Sequence, residues 1–416
     1  MRVSRRTFLT SAAAAPLVSL AARAGEPTAA AAAPGVAIAL PDRDQFPFGG
    51  VTYLDSGSQH PASRGARAAI ERYLEKRSLD PTASSYELPE DAVREKFARL
   101  VGADADEVVY VPSTTAAEQM FVRGLGLPAA GEHIVTDTLH FFGSLPMYAE
   151  LERRGCKVTW LRAKAGRIPL EDVRQALQKK TRLVALSLVS TFNGFEHDLK
   201  SVCEAAHAQG ALVYADIIHA AGCVPLNLHD TGVDFAACAT YKWLMGEFGL
   251  GFGYVAKHAR DRLTRTEFGY YGLTDFTTHV YPFDTPSEHV VDYAYAPTAE
   301  GILAHGTHAH TVIAQLDHSL DYISTLGVER IQSHAHALTE HLKQELPKRG
   351  YSVITPAESR APLVTCAYEN ARDRLAPRLK EANVKITVGQ HRFRATPSVF
   401  NSHADIERLL DVLGPA

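Results

Sequence analysis

Leu212-Val213-Tyr214-Ala215-Asp216-Ile217-Ile218-His219 and Phe235-Ala236-Ala237-Cys238-Ala239-Thr240-Tyr241-Lys242-Trp243 decide the fold. Each opens as a short run of apolar or small residues and ends on a polar group, Asp216 in the first and Lys242 in the second. That is how a buried strand reads when it delivers a side chain at its carboxyl end. The same shape recurs outward at residues 108–111, 133–135, 158–161, 183–189 and 252–255, with amphipathic stretches such as 199–209 between. The run 183–189 hardly alternates, as expected for a strand covered on both faces. Repeated strand–helix units predict an α/β domain with a mostly parallel sheet.

Open α/β sheets bind ligands beyond the carboxyl ends of their strands. The polar candidates fall there in succession: Thr114 and Thr115, His140, then Ser190, Thr191 and Asn193, then Asp216 and Lys242. A lysine amine can hold an aldehyde as a Schiff base, and an acid can keep a pyridine nitrogen protonated. Lys242 with Asp216 therefore points to pyridoxal 5′-phosphate. The plain alternatives are a surface lysine and a helix-capping acid. Thr114 and Thr115 open a helix directly after a strand, which suits either a phosphate or a simple N-cap. His140 can lay its ring on a flat cofactor, and His219 can reach a phenolic oxygen. Arg394 carries a fork that fits a carboxylate or a surface ion pair.

After residue 310 the pattern changes. Helical periodicity over 312–324 and 331–345 precedes short strands near 351–354, 363–367 and 393–396, and a helix at 403–413 closes the chain. This predicts a smaller α+β domain. At the other end, Arg5-Arg6 precedes the apolar stretch 12–22 and Ala22-Arg23-Ala24. A charged region, a short apolar run and an Ala-x-Ala site read as a cleaved twin-arginine signal. The apolar stretch is too short to cross a bilayer of ~30 Å. The expected organisation is a signal over 1–24 and a leader over 25–45. An N-terminal arm with the large cofactor-binding domain covers 46–305, and the small domain covers 306–416. The expected location is the periplasm, with no membrane anchor after cleavage.

The formal charge of −4 on 416 residues gives no reason to expect nucleic acid. Five scattered cysteines (Cys156, Cys203, Cys223, Cys238 and Cys366) make no disulfide framework. His305, His308 and His310, and His334 with His336, lack cysteine or carboxylate companions at ligand spacing, so no metal is expected.

Four segments then carry a resemblance: Tyr214-Ala-Asp216-Ile-Ile-His219-Ala-Ala-Gly222, Tyr241-Lys242-Trp-Leu-Met-Gly246, Gly306-Thr307 and Arg394-Ala-Thr-Pro-Ser-Val-Phe-Asn401. They resemble the class V branch of fold-type I pyridoxal-phosphate enzymes, which includes cysteine desulfurases, isopenicillin N epimerase-like proteins and kynureninase. The resemblance runs from Tyr53 to Asn401. It implies the fold-type I transferase fold and a homodimer with shared sites. Lys242 would be the Schiff-base lysine, and Asp216 the pyridinium partner. His140 would stack on the ring, and His219 would face its phenolic oxygen. Thr114 and Thr115 would hold the phosphate, with Thr307 reaching the neighbouring subunit's. Arg394 would hold the substrate carboxylate. Tyr241 and Ala239 stand where the family usually has His and Ser, so Tyr241 or Thr240 is expected to complete the phosphate cradle. Thr191, with Asn193 nearby, replaces a family Asn and is expected to touch substrate. Residues 370–393 contain no cysteine, which disfavours a desulfurase.

The expected function is a pyridoxal-phosphate enzyme that labilises a bond at Cα of an amino acid or an amino-acid-bearing peptide metabolite. An aminotransferase-like outcome comes first. Epimerase and C–S or β-lyase outcomes are alternatives, and a non-catalytic secreted binding protein is the reading from another class. The export signal, with the siderophore-tailoring members of this branch, suggests a secreted peptide metabolite as substrate.

Overall fold

The structure, a computed structural model, describes residues 38–80, 82 and 88–416. The expected signal over 1–24 and most of the 25–45 leader lie outside the described residues. In chain order come strand β1 (Thr52–Tyr53) and helices α1 (Arg64–Leu79) and α2 (Glu90–Leu100). The main sheet follows: β2 (Val108–Val111), β3 (His133–Asp137), β4 (Lys157–Leu161), β5 (Thr181–Ser187), β6 (Leu212–Asp216), β7 (Phe235–Ala239) and β8 (Gly251–Val255). Between its strands run α3 (Thr114–Gly124), α4 (Leu145–Arg153), α5 (Leu170–Ala176), α6 (Leu199–His207) and α7 (Leu228–Thr231).

The seven strands lie in the order β2-β8-β7-β6-β5-β3-β4. Only β8 runs against its neighbours. Strands β3, β6 and β7 are buried along their whole length, because helices cover both faces. Because β3 to β7 run parallel, the loops that follow them lie at one edge of the sheet. That edge is the crevice predicted from the strand-end residues.

A separate two-stranded hairpin, β9 (Leu273–Thr278) with β10 (Val291–Tyr295), is exposed or half-buried along its length. It precedes α8 (Ala299–Leu303), α9 (His310–Leu326) and α10 (Val328–Lys348). The remaining elements are β11 (Ser352–Val353), β12 (Val364–Ala367), α11 (Ala371–Glu381), β13 (Val384–Lys385), β14 (Thr387–Val388), β15 (Arg392–Ala395) and α12 (His403–Leu413). Strands β11, β12, β15 and β14 form the small-domain sheet in that order.

The cores divide the chain elsewhere than at residues 46 and 306. Val312, Ile313, Leu316 and Leu320 of α9 join the large core, so this helix packs with α1 and α2. The small core, built on α10, β12, β15 and α12, takes in Leu54. Strand β1 pairs in parallel with β13, so the N-terminal arm belongs with the small domain. A third cluster, including Phe46, Trp243, Met245, Ile323, Val399 and Phe400, joins arm, lysine loop and small domain.

Candidate active site

The floor of the crevice is made by neighbouring strand ends. Asp216 ends β6 and is 3% exposed. Its Oδ1 accepts the Ile218 N–H at 2.9 Å, and its Oδ2 accepts the Ser187 hydroxyl at 3.3 Å. Ser187 ends β5 in register with Asp216, so parallel pairing alone brings the two together. Ser187 Oγ also accepts the Phe141 N–H at 3.1 Å and meets His140 Nδ1 at 2.9 Å. His140 Nε2 lies 2.8 Å from Oε1 of Glu118, a buried acid on α3. Tyr148 donates to the same Oε1 at 2.6 Å, and Ser144 donates to Oε2 at 2.5 Å. Burial raises the Asp216 carboxyl, against the pull of the Ile218 N–H, His140 and Lys242.

The lysine arrives on the loop after β7. Its position is fixed from behind: Gln315 and Ser319 of α9 both donate to the Met245 carbonyl at 3.0 Å. Gly222 lies so close that a Cβ there would sit 2.6 Å from the Trp243 carbonyl oxygen. Lys242 is 7% exposed, and burial drops its amine from 10.5 to about 8. Its Nζ is 3.1 Å from His219 Nε2. Trp243 Nε1 donates to His219 Nδ1 at 3.4 Å. An indole nitrogen only donates, so Nδ1 is the acceptor and a neutral imidazole carries its proton on Nε2. That proton points at Lys242 Nζ, ready for the lone pair of the amine once it is deprotonated. Burial, with the nearby Lys242 and Arg394, holds His219 well below the usual histidine range and agrees with the neutral ring.

The residues expected to hold the phosphate lie at the start of α3 and on the lysine loop. Ser113, not a threonine, is the N-cap and accepts from Ala116 N. Thr114 Oγ1 accepts the Ala239 N–H at 2.8 Å, which leaves its own proton free to donate. Thr115 is half-buried beside it. Tyr241 is stacked on Phe248, with ring centroids 4.4 Å apart, and Lys242 Nζ lies 5.8 Å from its ring. The Thr240 hydroxyl is turned back to the Glu247 carbonyl at 2.7 Å and is not available to a phosphate. Thr307 is exposed and shares a hydrogen bond with Tyr270 Oη.

The far wall comes from the small domain and the arm. Arg394 of β15 donates to Thr191 Oγ1 at 2.6 Å and to the Thr191 carbonyl at 3.0 Å. It also donates to Ser58 Oγ at 2.9 Å and Thr387 Oγ1 at 3.2 Å, and Asp55 lies 4.0 Å away. Asn193, expected to touch substrate, is held by the chain's own backbone. Its Nδ2 donates to the Gly166 carbonyl at 2.7 Å and the Ile354 carbonyl at 3.4 Å, while Oδ1 accepts the Phe195 N–H. A side chain so engaged ties the loop down.

Sequence reasoning missed Glu118, Ser187, Ser58, Asp55 and Thr387 as site residues. Glu118 had a readable signal. Thr114, Ala117, Glu118 and Phe121 share one buried helical face, and an acid on that face calls for a partner. It also missed two donor clusters, His207–Asp234–His258 and Asp104–Glu107–His229. Asp234 is already bonded at both oxygens by His207, His258 and the Val213 N–H. All five cysteines are free and buried. Cys366 lies in β12, where burial pushes its thiol to about 12.

This donor set fits pyridoxal 5′-phosphate. A buried amine whose pKa is lowered to about 8 suits an aldehyde, and Asp216 Oδ2 has one long contact and capacity for another donor. The free Thr114 proton and the α3 N-terminus suit a phosphate.

The sequence profile described as "Aminotransferase class-V" matches residues 75–406. "Uncharacterized aminotransferase YcbU" of Bacillus subtilis is 25% identical over 362 residues, covering 86% of this chain and 93% of that protein. A "probable cysteine desulfurase" of Streptomyces coelicolor is 25% identical over 395 residues, covering 87% and 91%. Among solved structures, apo cysteine desulfurase from Thermococcus onnurineus superposes with a TM-score of 0.79 at 21% identity, covering 90% of this chain and 98% of that one. The cystine C–S lyase C-DES gives 0.79 at 18% identity, covering 89% and 100%. The fold expected from the strand pattern is therefore the observed one, and the chain belongs to the class-V aminotransferases, a family of pyridoxal-phosphate enzymes.

Proposed function

We propose that this protein is a pyridoxal-phosphate enzyme acting at Cα of an amino acid or amino-acid-bearing peptide metabolite, with an aminotransferase-like outcome. The observation that carries the reading is the buried Lys242 amine 3.1 Å from His219, on the same crevice floor as Asp216. When bound, the cofactor supplies an electron sink for negative charge at Cα. Asp216 would accept the hydrogen bond of the ring nitrogen and keep it cationic. Arg394 would hold the substrate carboxylate after exchanging part of its present contacts. Lys242, its amine lowered to about 8 by burial, would serve as the base that moves the Cα proton. The buried, high-pKa Cys366 and the cysteine-free stretch 370–393 speak against a thiol nucleophile, although several relatives are named cysteine desulfurases.

Arg392 refines the substrate. It lies two residues from Arg394 on β15 and so shares its face. Its guanidinium sits 4.5 Å from the Phe192 ring centroid, with no carboxylate within 4 Å among the described residues. A second cation beside the first favours substrates with an additional acidic group. Arg5-Arg6 and the Ala22-Arg23-Ala24 site support export by the twin-arginine route to the periplasm. A secreted peptide metabolite such as a siderophore then fits as the substrate. The β9–β10 hairpin, which exposes Tyr281, Phe283 and Tyr293, supports a homodimer, because an isolated two-stranded ribbon is marginal in water.

The test is direct. The purified holo-protein should be yellow, and borohydride should trap the cofactor on Lys242. Mixing with acidic amino acids and peptides, while following cofactor absorbance and product mass together, should yield keto products. Deuterium entering Cα without a new product would indicate epimerisation instead. A colourless protein that takes up no cofactor would sink the reading.

A further inference from the structure

Four buried groups stand in one line beneath the crevice: Glu118, His140, Ser187 and Asp216. Counting protons and lone pairs fixes the direction of every bond. Ser187 Oγ has one proton and two lone pairs. Ionised Asp216 only accepts, so it takes the Ser187 proton. The Phe141 N–H only donates and occupies one lone pair. His140 Nδ1, at 2.9 Å, must donate into the other. On the far side of the ring, Nε2 faces a carboxylate that already receives the Tyr148 and Ser144 hydroxyls, the bonding of an ionised acid. Nε2 donates as well, and both ring nitrogens carry protons.

We propose that Glu118 is a positioning residue that holds His140 as an imidazolium and, through Ser187, keeps Asp216 oriented to accept a bond from the cofactor's ring nitrogen. The inference deepens the proposed function, since it rests on His140 and Asp216 lying under the cofactor. A fixed positive charge there would strengthen the electron sink, and no reorganisation is needed when substrate arrives. The ionisable groups facing His140 agree. Glu118 comes from α3, Tyr148 from α4 and Tyr214 from β6. Asp137 of β3 is itself 3.3 Å from His197. Burial opposes a charge on His140, but Glu118, then Asp137 and Asp216, reverse it and raise the ring above its ordinary value. Burial likewise opposes the Glu118 charge, and His140, Ser144 and Tyr148 overcome it.

The experiment uses full-length protein freed of cofactor and labelled with nitrogen-15 in its histidine rings, with His140→Gln to assign the signal. In the wild type, His140 should stay doubly protonated at least one pH unit beyond its midpoint in Glu118→Gln, where it should titrate at or below ~6.5. Identical curves would overturn the proposal. Should Glu118→Gln fail to fold, Ser144→Ala removes one donor from the same carboxylate and should lower the midpoint by a smaller step. No shift there overturns the proposal too. In loaded protein, Glu118→Gln should shift the pH dependence of cofactor absorbance while the cofactor remains on Lys242; an unmoved profile would count against the relay to Asp216. Failure of the wild type to take up cofactor would sink the function reading and leave the nitrogen result standing, so the two can fail separately.

Discussion

The floor and the far wall of the crevice are built by different means. On the floor, Ser187 and Asp216 meet because β5 and β6 pair in register, and His140 and Glu118 close the network over buried atoms. On the wall, Arg394 takes its contacts from residues 336 and 203 positions away, Ser58 and Thr191. The arm and small domain that carry Ser58 and Arg394 pack together through the Phe46–Trp243–Phe400 cluster. The floor is set by sheet geometry, the wall by domain packing. On the proposed reading, the groups that would act on the cofactor sit on the sheet, and those that would choose the substrate sit where arm and small domain meet it.

Substitutions should separate the two. Asp216→Asn should lower kcat by roughly 10²–10³-fold for every substrate, the size expected for losing one preorganised electrostatic contact. Steady-state kinetics with two unlike substrates would show it, and a loss confined to one of them would break the distinction. Arg394→Gln should act on the wall alone. Its expected effect is ~10–150-fold in kcat/KM, from a charge-assisted bond of ~1.5–3 kcal/mol, with cofactor absorbance unchanged. A change in the cofactor spectrum would show that wall and floor are coupled.

Gly222→Ala probes the seam between them. Its φ of +92° and the 2.6 Å approach to the Trp243 carbonyl leave no room for a methyl. A cost of ~1–3 kcal/mol in chemical denaturation is expected, along with weaker cofactor retention, because Trp243 follows Lys242. The smallest effect is on pH. Only the free amine attacks an aldehyde, and folding moves that amine from 10.5 to about 8. Loading of cofactor-free protein should thus speed up from pH 7 to 9 and then level off. Between those two values the unfolded chain holds the extra proton, so this lysine also makes folding more favourable as pH rises through the window. A loading midpoint near 10 would show that the amine is not buried in solution.

Much of the floor was legible from the sequence. The apolar runs marked the strands of the main sheet, and each polar residue just beyond them lies on the same edge. Lys242, Asp216, His140, His219 and Thr114 all appear there, because strand ends in a parallel sheet converge whatever the loops do. Asn193 shows the opposite case. Its loop position was right, but a side-chain direction depends on which carbonyls wait nearby, and Gly166 and Ile354 belong to other parts of the chain. The domain limits at residues 46 and 306 followed composition, whereas α9 and the arm were sorted by which core had room for their apolar faces.

The sequence by itself determined the sheet, its order of polar ends and the lysine–acid pair, since these follow from local periodicity and chain direction. Only the tertiary structure decided that Glu118 faces His140, that Lys242 meets a neutral His219, and that Ser58, Thr191 and Thr387 surround one arginine. Those contacts join residues far apart in the chain, and burial, which sets their charges, exists only once the core has closed around them.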